Sequence, residues 1–193
     1  DAMRLHAPYT LNGQPIFGTY VAKDLVALNA VDAVGMNMVI GDKQDLYDDT
    51  ETGSYCSEHG IGIHYHLTHH LYGKPRTQER IDASQTTIPL TMADGIGKQI
   101  ERPANGVIQI EDELVYYAAL TDDALLDCVR GHDGTVATAH REMIILFWPD
   151  ECRLEVEEVM GTPNMRGYYV LDDSPGDAQS ALRAMYRTIR SVD

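Results

Sequence analysis

Cysteine is scarce in this chain of 193 residues. Cys56, Cys128 and Cys152 are an odd number at unrelated spacings, which leaves no disulfide framework and no zinc knuckle. They read as buried or half-buried thiols of a protein made in a reducing cytosol. Basic side chains are also short, 15 against 30 acidic ones, for a formal charge of −15. Such a surface repels phosphate backbones and anionic lipid, so nucleic acid is not expected as a partner. An acidic face suits basic patches on neighbouring subunits instead. No apolar run approaches the about 18 residues that a membrane span needs. The opening Asp1-Ala2-Met3-Arg4 has no basic-then-apolar signal pattern. A Gly-Xaa-Ser-Xaa-Gly elbow, a phosphate-binding glycine loop and a Cys-His signature are all missing, so no enzyme activity is expected.

What the chain does have is a core. Hydrophobic residues make up 44% and charged residues 23%, the balance of a globular protein. Three segments are expected. Residues 1–84 read as an N-terminal arm and strand region, with a turn at Asn12-Gly13, a short helix on Val21, Leu25, Leu28 and Val31 for which the valines leave a strand open, and a strand over 34–40. A solvated loop over 41–53 follows, and then a half-buried strand in which Ile61, Ile63, Tyr65 and Leu67 alternate with glycine and histidine. Residues 85–160 carry short β-patterned pieces, 86–90, 107–110, 113–118 and 125–129. Met143–Trp148 reads as a central strand stopped by Pro149. Residues 161–193 end in a helix whose signals are Ser174-Pro175-Gly176-Asp177 and a face of Ala178, Leu182, Met185, Tyr186, Ile189 and Val192. The fold class expected is mainly β, a small barrel or sandwich with a C-terminal helix, α+β overall.

Within 85–140 the order of parts is specific. Pro103-Ala104-Asn105-Gly106 leads into Val107-Ile108-Gln109-Ile110, then Glu113-Leu114-Val115-Tyr116-Tyr117. After a polar turn come Arg130-Gly131-His132-Asp133-Gly134-Thr135 and Val136-Ala137-Thr138-Ala139-His140. This stretch, about 56 residues, resembles a small β-module that recurs in tail, baseplate and fibre-associated proteins of tailed bacteriophages and prophages. The module's pattern is a Pro-Xaa-Xaa-Gly turn, an apolar strand, Glu-(Ile/Leu)-(Ile/Val)-Xaa-Tyr, a turn, then Arg-Gly-Xaa-Xaa-Gly-Thr and an Ala-rich segment ending in His. Asp127 departs from it, standing where the family often has Gly or a small residue. His132 fills a variable position. The resemblance implies a virion structural protein, assembled in the host cytoplasm. It would act as a tail, baseplate or connector adaptor in cyclic homo-oligomers with other tail proteins as partners.

The residues support a rigid block in their own right. Gly131 and Gly134 permit a tight turn, Asp133 and Thr135 can bond its backbone, and Arg130 offers a fork of donors for turn carbonyls or Glu113. Other chemistry is confined to histidine. His59, His64, His66, His69 and His70 are five of the eight histidines in the chain. His64, His66, His69 and His70 are candidate ligands for a zinc-type ion, although the polar side of a half-exposed strand accounts for His64 and His66 without one. The rival readings are a metal-dependent hydrolase of cell-envelope polymer built on the His59–His70 cluster, and a receptor-binding fibre module. No cofactor other than such an ion is expected.

Overall fold

A computed structural model describes residues 10–11, 14–15, 18–20, 24–41, 50–71, 74–91, 102–170 and 178–192. Along the chain run β1 (Thr10–Leu11), β2 (Gln14–Pro15), β3 (Gly18–Tyr20), α1 (Leu25–Ala33), β4 (Met38–Gly41), α2 (Thr50–Glu58) and β5 (Gly62–His66). A 3₁₀ turn at Thr68–His70 leads to β6 (Arg76–Thr77), β7 (Ile88–Thr91), β8 (Gly106–Ile110), β9 (Glu113–Tyr117), β10 (Ala119–Leu120) and β11 (Ala124–Leu126). After a second 3₁₀ turn at His132–Gly134 come α3 (Pro149–Val159), β12 (Met165–Tyr169) and α4 (Gln179–Val192). Helices and strands are thus mixed, α+β overall, with no closed barrel among the described residues.

The chain forms two units that do not follow the linear segments 1–84, 85–160 and 161–193. One holds residues 1–66 and 159–169, the other 67–158 and 170–193. In the first, β3, β4 and β5 run parallel and β12 adds to β5, giving the order β12-β5-β4-β3. Helices α1 and α2 supply the crossovers that parallel neighbours need. Asp24 caps α1 by accepting from the Ala27 N–H at 2.8 Å, and Leu28 and Val31 bury against Val39, Cys56, Ile61 and Ile63. A parallel α/β sheet was not expected here. Its strands are only three to five residues long, and the helix over Thr50–Glu58 replaces the end of the expected 41–53 loop. Strands β1 and β2 pair antiparallel, while the Asn12-Gly13 turn between them lies outside the described residues.

The second unit is antiparallel. Strands β10-β11-β7-β6 make one sheet and β8-β9 a hairpin with Ile110 opposite Glu113. Alternation along β8 and β9 sends Ile108, Ile110, Val115 and Tyr117 into a core with Ile81, Ile88, Leu125, Ile144, Leu146 and Trp148. Over the expected strand at Met143–Trp148, Met143 turns with φ +64° and the chain after it makes single bridges, Ile145 to Arg76 and Phe147 to Gln109. The run from Ile144 to Trp148 is buried as a core strand would be, with Phe147 0% and Trp148 2% exposed, while Met143 is exposed. Pro149 does more than stop it. The residue opens α3 as a first-position proline, followed by Asp150 and Glu151 in the first turn. Helix α4 is described from Gln179, and the expected start signal Ser174-Pro175-Gly176-Asp177 lies outside the described residues. Its buried stripe is Ala181, Ala184, Met185 and Ile189, whereas Tyr186 is 64% exposed. No helix of the described residues is long and apolar enough to cross a membrane.

Candidate functional site

Glu113 begins β9 beside a two-residue hairpin turn in which Glu111 takes φ +54°. The alternation that buries Val115 and Tyr117 also buries Glu113, which is 1% exposed. A carboxylate so placed needs partners on every lone pair, and the segment after β11 supplies them. Arg130 donates from Nε to Oε1 at 2.8 Å and from Nη2 to Oε2 at 2.9 Å. The backbone N–H groups of Gly131 and Thr138 donate at 2.9 and 3.0 Å. His140 Nε2 meets Oε2 at 2.7 Å, and its Nδ1 meets Glu111 Oε2 at 2.8 Å. Both ring nitrogens therefore face carboxylate oxygens, which only accept. Burial works against the Glu113 charge, but Arg130, the Thr138 N–H, His140 and the Gly131 N–H outweigh it and hold the carboxyl down to about 2.

Arg130 reaches further. Its Nη1 donates to the carbonyl of Asp82, and its Nη2 to that of Thr138 at 2.6 Å. One guanidinium thus ties the 82–85 loop, β9 and the 130–140 segment together. Gly131 has φ +65°, and a Cβ there would stand 2.8 Å from the Thr135 carbonyl oxygen, so the turn demands glycine. Thr135 Oγ1 accepts from Leu114 N at 3.0 Å and donates to His132 O at 2.8 Å. Asp133 and Gly134, with φ +49° and +79°, stay exposed at the tip. Asp127 has φ +51°, a left-handed angle that aspartate tolerates and glycine takes most readily.

The histidines divide among separate environments. His59 follows α2, stacks on Tyr55 at 3.9 Å and meets Asp32 Oδ2 at 2.7 Å. His64 and His66 share one side of β5. Burial lowers the pKa of His64, and His66 stacks on Tyr169. His69 and His70 lie on the 3₁₀ turn and meet a residue that the sequence did not single out. Both Nε2 atoms approach Glu155 Oε2, at 2.8 and 2.7 Å. Beside them Lys74, 2% exposed, pairs with Glu151 at 3.3 Å and lies 5.2 Å from the centre of the Trp148 ring. Burial lowers the pKa of His70 and of Lys74, with the paired carboxylates opposing. Glu151 and Glu155 stand one helical turn apart on α3. The signal that could have found Glu155 was the missed helix itself.

Comparison with protein-family models, with curated proteins and with solved structures finds no match.

Proposed function

We propose that this chain is a virion structural protein of a tailed bacteriophage, an adaptor subunit of the tail, baseplate or connector that works by interface burial and shape rather than by turnover. One observation carries the reading. The charged residues through which the resemblance to the phage module runs, Glu113, Arg130 and His140, converge in a single buried network. A pattern that arose by chance in turn-rich β sequence has no reason to bring its three ionisable members together. The network also gives them a mechanical task, locking two turns onto a hairpin so that a rigid face is presented. The acidic surface fits docking against basic neighbours, and repeated copies around an axis give each subunit the same contact.

The experiment is the mass of the purified protein in solution, alone and mixed with candidate tail proteins, together with mass spectrometry of intact particles of the phage that encodes it. A ring or a defined complex, and the chain among the particle's proteins, are expected. A persistent monomer that is absent from particles would overturn the reading.

A further inference from the structure

We propose that His69, His70 and Glu155 form a binding site for one divalent transition-metal ion of the zinc type, held through the two Nε2 atoms and a Glu155 carboxylate oxygen. The three ligand atoms lie within 4.8 Å of one another, and this is the one group of three or more potential metal ligands among the described residues. Two imidazoles and a carboxylate are the donor set that a borderline-soft cation favours over calcium or magnesium.

The convergence is not what local geometry provides by default. Successive side chains on a 3₁₀ turn diverge by about a third of a turn, yet the rings of His69 and His70 stand 4.3 Å apart and aim at one oxygen. Present spacings of 2.7 and 2.8 Å between nitrogen and oxygen must open to roughly 3.4 Å for an ion with bonds of about 2.0 Å. Rotation of the Glu155 side chain supplies that movement. The site is walled on one side and open on the other, since the His70 side chain is 3% exposed and that of His69 35%. A water can complete the coordination from the open side.

The His70 Nδ1 is buried with no hydrogen-bond partner among the described residues, so only the Glu155 contact holds the ring proton on Nε2, and an ion that displaces this contact meets the Nε2 lone pair once the proton sits on Nδ1. The same gap withholds the acceptor usual behind a metal-bound imidazole. That costs about 10–100-fold in affinity and points to a moderate, exchangeable site. An ion there would clamp the 3₁₀ turn to α3, beyond the structural role proposed above and independent of it.

The test titrates the full chain with zinc and with cobalt(II), reading calorimetric stoichiometry and the visible absorption of bound cobalt. One ion per chain is expected. H69A and E155Q, both at partly exposed side chains, should each weaken binding at least about tenfold while keeping the wild-type circular dichroism. The double variant H64A/H66A should bind as the wild type does. Absence of saturable binding by the wild type, or binding as tight as the wild type's in H69A and E155Q, would overturn the proposal. Loss of binding only in H64A/H66A would move the site to β5 and overturn it as well.

Discussion

Arg130 and Glu113 meet as a two-point fork, with both side chains 5% or less exposed. A buried pair of this kind resists loss of one member more than loss of both, because the survivor is left charged and unpaired. R130M should therefore lower unfolding free energy by about 3–5 kcal/mol, and E113L by a similar amount. R130M/E113L should cost clearly less than their sum. R130K keeps the charge but not the fork, and should recover only a minor part. Urea unfolding followed by Trp148 fluorescence reads this directly, since Trp148 is the chain's single tryptophan and shares a core cluster with Val115 and Tyr117 of the strand that Glu113 begins. Additive single losses would show that the fork is not a coupled unit.

The same carboxylate sets a pH dependence. Glu113 is held at about 2 against an ordinary 4.5, with burial raising it and Arg130, Thr138, His140 and Gly131 together lowering it further. A carboxyl depressed by folding contributes its stability in full above the unfolded value and loses it as pH falls toward the folded one. About 3 kcal/mol should thus disappear between roughly pH 5 and pH 2. In E113Q that acid-induced loss should shrink. The check is the urea midpoint measured at intervals across that range, for both proteins.

Backbone strain at Asp127 gives a third expectation. At φ +51° on an exposed turn, aspartate tolerates the left-handed region better than most residues, and glycine better still. D127G should fall within about 1 kcal/mol of the wild type, while D127V should lose about 1–2 kcal/mol. G131A is the sharper case, because its added Cβ meets the Thr135 carbonyl as well as the unfavourable angle. Its loss should exceed that of D127V in the same urea assay.

Legibility in the sequence followed the range of the interactions. The β8-β9 hairpin was readable because alternation and turn residues are local signals, and Arg130 with Glu113 because the fork's chemistry suggested a partner across the sheet. Helix α3 is hidden behind a proline that reads equally well as the stop of a strand. Its buried Cys152, Val156 and Val159 at helical spacing, behind Pro149, Asp150 and Glu151, were the available signal. The parallel sheet was hidden by strands of three to five residues and by α2, whose Thr, Gly and Ser content is poor helix material. Glu155 meets His69 and His70 across 86 and 85 residues of chain, a separation at which spacing says nothing about contact.

The three thiols supply a measurement of how each unit opens. Cys56 and Cys152 are fully buried and Cys128 is 4% exposed. Burial pushes Cys56 and Cys128 up to about 11 and Cys152 to about 12, the last also raised by the Glu155 carboxylate. Since the thiolate is the reacting form, at pH 8 all three are protonated as well as shielded. A colourless disulfide reagent should find fewer than one reactive thiol per native chain and three in denaturant. Because Cys56 lies in one unit and Cys128 and Cys152 in the other, peptide mapping of labelled chains at intermediate urea separates their unfolding. Cys128 and Cys152 should label together, as members of one cooperative body. R130M, whose lost partners all lie within that unit, should advance their labelling more than that of Cys56. Labelling of Cys56 advanced to the same degree by R130M would show that the two units unfold as one.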